Sequence, residues 1–174
     1  MQQQAIQHQE PNWLKPKFHN IPEELKQQPW AVWRAEQRDG SVDKYNKAPC
    51  NPTTGRKVGA NKPELFGTFD EAIKAYETGK WTGIGVLLTG NQIIGIDIDD
   101  ALTLFAEKPE LKAWVEDALN TGVYCEISPS GTGYRLFTLG SIPSKGKKYQ
   151  GLEIYSTGRF LSVTGHTLKK KEEK

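Results

Sequence analysis

Two central segments are apolar almost throughout, whereas their flanks alternate polar and apolar positions. TGIGVLLTG (82–90) and QIIGIDID (92–99) read as strands covered on both faces. With Gly90 and Asn91 between them, they predict a tight β-hairpin. Ala72, Ile73 and Tyr76 fall at helical spacing in FDEAIKAYE (69–77), with Thr68 and Asp70 as caps and Gly79 as the stop. A second helix is predicted from Pro109 to Asn120, with Leu111, Trp114, Val115 and Leu119 on one face and Gly122 just past its end. PEELKQQ, from Pro22, predicts a short helix ending at Pro29. WAVWRA (30–35) predicts a strand that returns near Lys44 to Pro49, followed by an irregular loop, KAPCNPTTGRKVGANKP, on the sheet edge. VYCEIS, GYRLFT, GLEIYS and RFLSVTG predict four further strands, the last two separated by a turn at Thr157 and Gly158.

This order predicts an α+β fold: an antiparallel sheet with helices on one face, of the RNA-recognition type, preceded by an N-terminal αβ module. The expected organisation is a flexible glutamine-rich lead-in over 1–20, one domain over 21–168 and a charged tail over 169–174. At 174 residues, 36% hydrophobic and 25% charged, the chain has the size and composition of one soluble domain. The net charge of +2 hides an asymmetry. Lys145, Lys147 and Lys148 cluster in one loop and Lys169, Lys170 and Lys171 in the tail, while acids gather near Asp97. Basic loops around an acidic centre suit polyanions, although solvated lysine loops have the same composition. Cys50 and Cys125 lie far apart and suggest neither a disulfide framework nor a zinc ribbon. No apolar run approaches the roughly 18 residues of a membrane span, and the start lacks signal-peptide order, so no membrane partner and a cytoplasmic location are expected.

Within NQIIGIDIDD, Asp97 and Asp99 are spaced i, i+2 on a strand and should share a face, about 7 Å apart at the Cα atoms. Carboxylates held that close repel unless a cation lies between them, and removing one should relieve the repulsion. A divalent ion would turn the pair into a metal clamp; a solvated strand end is the plain alternative. In SPSGTGY, Ser130, Gly131 and Gly133 offer donors for a phosphate or make a simple turn, and Arg135 follows on the strand with a guanidinium that could fork onto phosphate oxygens. Glu153 in LEIY would complete a carboxylate triad if its strand lies beside that of Asp97. Arg159 and His166 bracket the last strand as further donors.

In this order, KAPCNPTTGRK, GIDIDD, SPSGTGYR and LEIYSTGRFLSVTGH resemble the motifs of the archaeo-eukaryotic primase superfamily, in its phage and plasmid primase-polymerase branch. The resemblance covers about Trp30 to His166. It implies a primase-polymerase fold holding two divalent ions, Mg²⁺ or Mn²⁺, and an incoming dNTP or NTP over a single-stranded DNA template and primer. Asp97, Asp99 and Glu153 match the family's catalytic metal ligands. Ser130, Gly131 and Arg135 match its nucleotide contacts, with Arg159, His166 and Lys47 as further ones. Many members have histidine at the position of Arg135, and arginine does not exchange a proton near neutral pH, so a charge-holding role is expected there. The family's helicase or helical-bundle domain is absent from this sequence. The implied activity is template-directed nucleotidyl transfer in DNA replication. A non-catalytic origin-binding module of the same fold and a metal-dependent nuclease are the alternatives.

Overall fold

The computed structural model describes residues 11–144 and 146–169. Lys145, Lys170 and Lys171 of the predicted lysine clusters, residues 1–10 of the lead-in and most of the predicted tail lie outside the described residues. The described chain mixes helix with antiparallel sheet, as the α+β reading requires. Its helices are α1 (Glu23–Lys26), α2 (Phe69–Glu77), α3 (Ala101–Glu107) and α4 (Pro109–Asn120). Its strands are β1 (Trp30–Trp33), β2 (Glu36–Gln37), β3 (Tyr45–Asn46), β4 (Pro49–Cys50), β5 (Gly83–Thr89), β6 (Ile93–Ile98), β7 (Tyr124–Ile127), β8 (Tyr134–Leu139), β9 (Lys147–Tyr149), β10 (Leu152–Tyr155) and β11 (Thr157–Val163).

Three sheets form. One has the order β11-β5-β1-β4, the second β7-β8-β6-β10-β9, and β2 and β3 make a separate two-stranded ribbon. The predicted hairpin of β5 with β6 is therefore corrected. The two strands belong to different sheets, β5 between β1 and β11, and β6 between β8 and β10. Each has apolar residues on both faces, so each takes a central position that a two-stranded hairpin could not bury. The turn predicted at Thr157 and Gly158 is likewise corrected. Thr157 already pairs with Thr89, and Gly158, at φ 63, sits in a register shift inside β11. The chain thus crosses between the sheets twice, after β5 and after β10. The crossings lie side by side, the Gly90 N–H donating to the Ser156 carbonyl at 2.8 Å.

Packing follows from the faces. On one side of the five-stranded sheet, Ile96, Ile98, Cys125 and Leu136 bury against Ala101, Leu104 and Phe105 of α3 and Val115 of α4. Helix α3 was not anticipated; Asp100, in the left-handed region at φ 43, turns the chain into it directly from the end of β6. In α4, Val115 is buried but Trp114 is 43% exposed, so Trp114 lies off the face assigned to it. Helix α2 covers the four-stranded sheet through Phe69, Ala72 and Ala75. Its start is a capping box: the Thr68 hydroxyl accepts from the Glu71 N–H at 3.2 Å and the Glu71 carboxylate from the Thr68 N–H at 2.8 Å. Asp70 is not the cap. The other face of the five-stranded sheet turns toward β5 and β11, and at Gly95 the sheets are so close that a Cβ would lie 2.5 Å from Leu161 Cδ1.

From residue 11 onward the expected lead-in is docked rather than loose. Leu14 N–H donates to Pro129 O at 2.9 Å, Lys17 N–H to Thr164 O at 2.8 Å, and Trp13 packs edge-on to Trp33. Cys50 and Cys125 are both buried free thiols. Among the described residues, no helix is long and apolar enough to cross a membrane.

Candidate active site

Five charged residues stand in one row across the five-stranded sheet. Glu126 on β7 is opposite Arg135 on β8, Arg135 opposite Asp97 on β6, Asp97 opposite Glu153 on β10, and Glu153 opposite Lys148 on β9. Residues directly opposite on paired strands present their side chains to the same face. The condition set for the triad, that the Glu153 strand lie beside that of Asp97, is met. Asp99 follows just past the end of β6, its N–H donating to Gly151 O at 3.1 Å.

Asp97 and Asp99 open into a cleft of about 600 Å³ between the two sheets, walled by the β2–β3 ribbon, the 47–60 loop and β11. Lys47, Arg135 and Arg159 line the same cleft, together with Arg38, Tyr45 and Lys57. Arg135, 5% exposed, bridges the sheets: its Nε donates to Asp97 Oδ1 at 3.0 Å, and its Nη1 to the carbonyl and hydroxyl of Ser162 on β11. The cation that the Asp97 carboxylate needs is thus supplied by the protein itself. Glu153 is also partnered, by Lys148 Nζ at 2.7 Å, Arg159 Nη2 at 3.0 Å and the Tyr155 hydroxyl at 2.7 Å. Arg159 Nε is buried with no hydrogen-bond partner among the described residues.

These surroundings set the charges. Desolvation opposes ionisation of Glu153, but hydrogen bonds from Lys148 and Tyr155 and the charge of Arg159 hold its carboxyl below its ordinary value. Asp99 makes no ion pair among the described residues. Loss of water, and then the charges of Asp97 and Glu153, push its carboxyl upward. Burial, helped by the nearby Arg135 guanidinium, lowers Lys47 to about 8. The Lys47 ammonium lies over the rings of Trp13 and Trp33, at 5.4 and 5.8 Å from their centroids.

The remaining predicted residues stand elsewhere. Ser130 and Gly131 are in an exposed turn beyond the lining of the cleft. There the Gly131 N–H donates to Ser128 O at 2.9 Å, the Gly133 N–H to Ser128 Oγ at 3.0 Å, and Ser130 Oγ lies 3.1 Å from Thr132 Oγ1. His166 Nε2 lies 2.8 Å from the Lys15 carbonyl, so its ring fastens the N-terminal segment. Glu126 escaped the sequence reading. It is wholly buried and accepts from the N–H groups of Thr164 (2.9 Å) and Gly165 (2.9 Å) and from the Tyr124 hydroxyl (2.7 Å). Burial raises its carboxyl, against those three donors. Its signal was a lone acid between Cys125 and Ile127 in an otherwise apolar strand.

The three oxygen-donor side chains are of the type that hard divalent cations take, and Asp99 is still unpartnered among the described residues. In this arrangement, however, no three His, Cys, Asp or Glu side chains among the described residues are grouped as a metal site requires. The reason is local: Asp97 turns to Arg135, and Glu153 to Lys148 and Arg159.

No family model matches the chain. It is 32% identical over 145 residues to a protein named DNA Primase-polymerase from Nitratiruptor phage NrS-1. That match covers 78% of this chain, and the chain spans about a fifth, 19%, of the phage protein. The motif resemblance and this phage relative thus agree in supporting a primase-polymerase domain over the matched part of the chain.

Proposed function

We propose that the chain is the catalytic core of a template-directed DNA primase-polymerase, joining nucleoside triphosphates in phage- or plasmid-type replication. The observation that carries this reading is the meeting of Asp97 and Glu153, 56 positions apart in sequence, directly opposite each other on paired strands, with Asp97 in a cleft rimmed by cations. The strand order β7-β8-β6-β10, with α3 and α4 on one face, suits the RNA-recognition-like sheet of the proposed primase-polymerase fold.

Asp97, Asp99 and Glu153 would hold Mg²⁺ or Mn²⁺, which when bound would make the attacking hydroxyl more acidic and stabilise the leaving pyrophosphate. The chain's own cations would do the rest. Arg159, with its unpartnered buried Nε, would hold triphosphate oxygens, and Lys47 and Arg135 would add positive charge in the same cleft. Ser130, Gly131 and His166 would contribute as further nucleotide contacts only if their turns move toward the cleft. The primer 3′-hydroxyl would attack the α-phosphate in line, its P–O bond to the β-phosphate breaking as the new one forms.

The pairing of Asp97 and Glu153 with protein cations favours a second reading, a DNA-binding module of the same fold without catalysis. Primer extension on a single-stranded template with Mg²⁺, then Mn²⁺, separates the two. The polymerase reading expects incorporation that Asp99→Asn abolishes in a folded protein, and a rise in Tm when nucleoside triphosphate and Mn²⁺ are added together. DNA binding without incorporation under either ion would leave the second reading.

A further inference from the structure

We propose that the β2–β3 ribbon is the wall along which single-stranded nucleic acid lies, with an unpaired base stacked on Tyr45 and its phosphates held by Arg38 and Lys47. This rests on the polymerase reading and names the strand-binding part of the same cleft. Five cations line the cleft: Arg38, Lys47, Lys57, Arg135 and Arg159. Three are neutralised, Lys57 by Glu36 at 2.7 Å, Arg135 by Asp97 and Arg159 by Glu153. Arg38 and Lys47 have no carboxylate partner among the described residues, and both belong to the segment that carries Tyr45.

The register Gln37↔Tyr45 places Arg38 one step toward the ribbon turn, while Lys47 follows two residues beyond Tyr45 in the other direction. Alternation puts Lys47 on the ring's own face of the ribbon and Arg38 on the other, where its Nε donates to Asn46 Oδ1 at 3.3 Å; both line the cleft with Tyr45, so a strand that crosses the ribbon meets a cation on each side of it. Tyr45 is half-buried and its side chain makes no hydrogen bond to a described residue. Its ring is braced edge-on by Trp13 at 5.4 Å, and Trp13 in turn by Trp33 at 5.6 Å. A half-buried aromatic braced by Trp13, on a ribbon whose two cleft-lining cations lack a carboxylate partner among the described residues, in a cleft lined largely by polar residues, matches a sequence-tolerant stacking platform. A duplex keeps its bases stacked on one another, so the platform suits a single strand.

The test is fluorescence anisotropy with a labelled oligothymidylate at several salt concentrations, beside nucleoside triphosphate binding, on variants whose circular dichroism and Tm match the wild type. Tyr45→Leu should weaken oligothymidylate binding about tenfold or more, Tyr45→Phe should bind near the wild-type level, and Arg38→Ala should flatten the salt slope by about one phosphate contact. Wild-type affinity in Tyr45→Leu overturns the proposal. So does a loss confined to the nucleoside triphosphate, which would put the incoming base on the ring. A wild-type protein that binds oligothymidylate through Tyr45 but incorporates nothing would keep the ribbon and sink the polymerase reading instead.

Discussion

Arg135 and Asp97 face each other across β8 and β6 in an ion pair of 3.0 Å, with side chains only 7% and 11% exposed. From the sequence alone, removal of Asp97 is expected to relieve like-charge repulsion. The pair reverses that sign, because Asp97→Ala leaves a buried guanidinium without its carboxylate. A loss of about 3–5 kcal/mol is expected in urea denaturation. An unchanged midpoint would mean that water reaches Arg135.

Asp99 behaves in the opposite way. Its carboxyl is pushed above the ordinary value, so its ionisation costs stability in the folded protein. That cost is absent below the unfolded-state pKa of about 3.9, grows as pH rises through the raised folded value and is complete above it. Asp99→Asn should therefore match the wild-type Tm in acid and exceed it at neutral pH without metal. A lower Tm for the variant at pH 7 would contradict this.

Glu153 is held below its ordinary value and so stabilises the fold when ionised. The contribution is present above the unfolded-state pKa, about 4.3, and is lost as pH falls through the lowered folded value. Glu153→Gln should melt below the wild type at pH 7, and the two curves should converge in acid. A constant gap across that window would assign the effect to packing.

Glu126 accepts the Thr164 and Gly165 N–H groups in a fully buried position. Glu126→Ala orphans both, and each buried unsatisfied donor costs about 1–3 kcal/mol. Amide hydrogen exchange should rise at Thr164 and Gly165 well before the α2 amides respond. Unchanged protection there would show that water replaces the carboxylate.

What could be read from sequence was whatever depends on neighbours along the chain. Thr68 just ahead of Ala72, Ile73 and Tyr76 at helical spacing marks a helix start, and the apolar runs at Ile84 to Leu88 and Ile93 to Ile98 mark strands. What could not be read was pairing. A run that is apolar on both faces carries no sign of which strand lies beside it, so β5 and β6 looked like a hairpin and were placed in separate sheets. Glu126 was passed over because a strand glutamate is ordinarily exposed, and its partners lie 38 and 39 positions away. For Arg135, the identity of the charge was visible. Its reach to Ser162 on the other sheet was not. Asp97 and Glu153 were recognised as a pair only conditionally, and the β6–β10 register supplied the condition.

The two crossings between the sheets bear on how the cleft can breathe. Because the Gly90 N–H bonds to the Ser156 carbonyl, the passages from β5 to β6 and from β10 to β11 are laced together at one end of the molecule. They act as the spine of a book whose pages are the two sheets, and Arg135, reaching from Asp97 to Ser162, is a clasp between the pages. Wide opening would therefore require the clasp to release. The β2–β3 ribbon pairs with neither sheet, so a shift of the ribbon leaves the register of the row of charges unchanged.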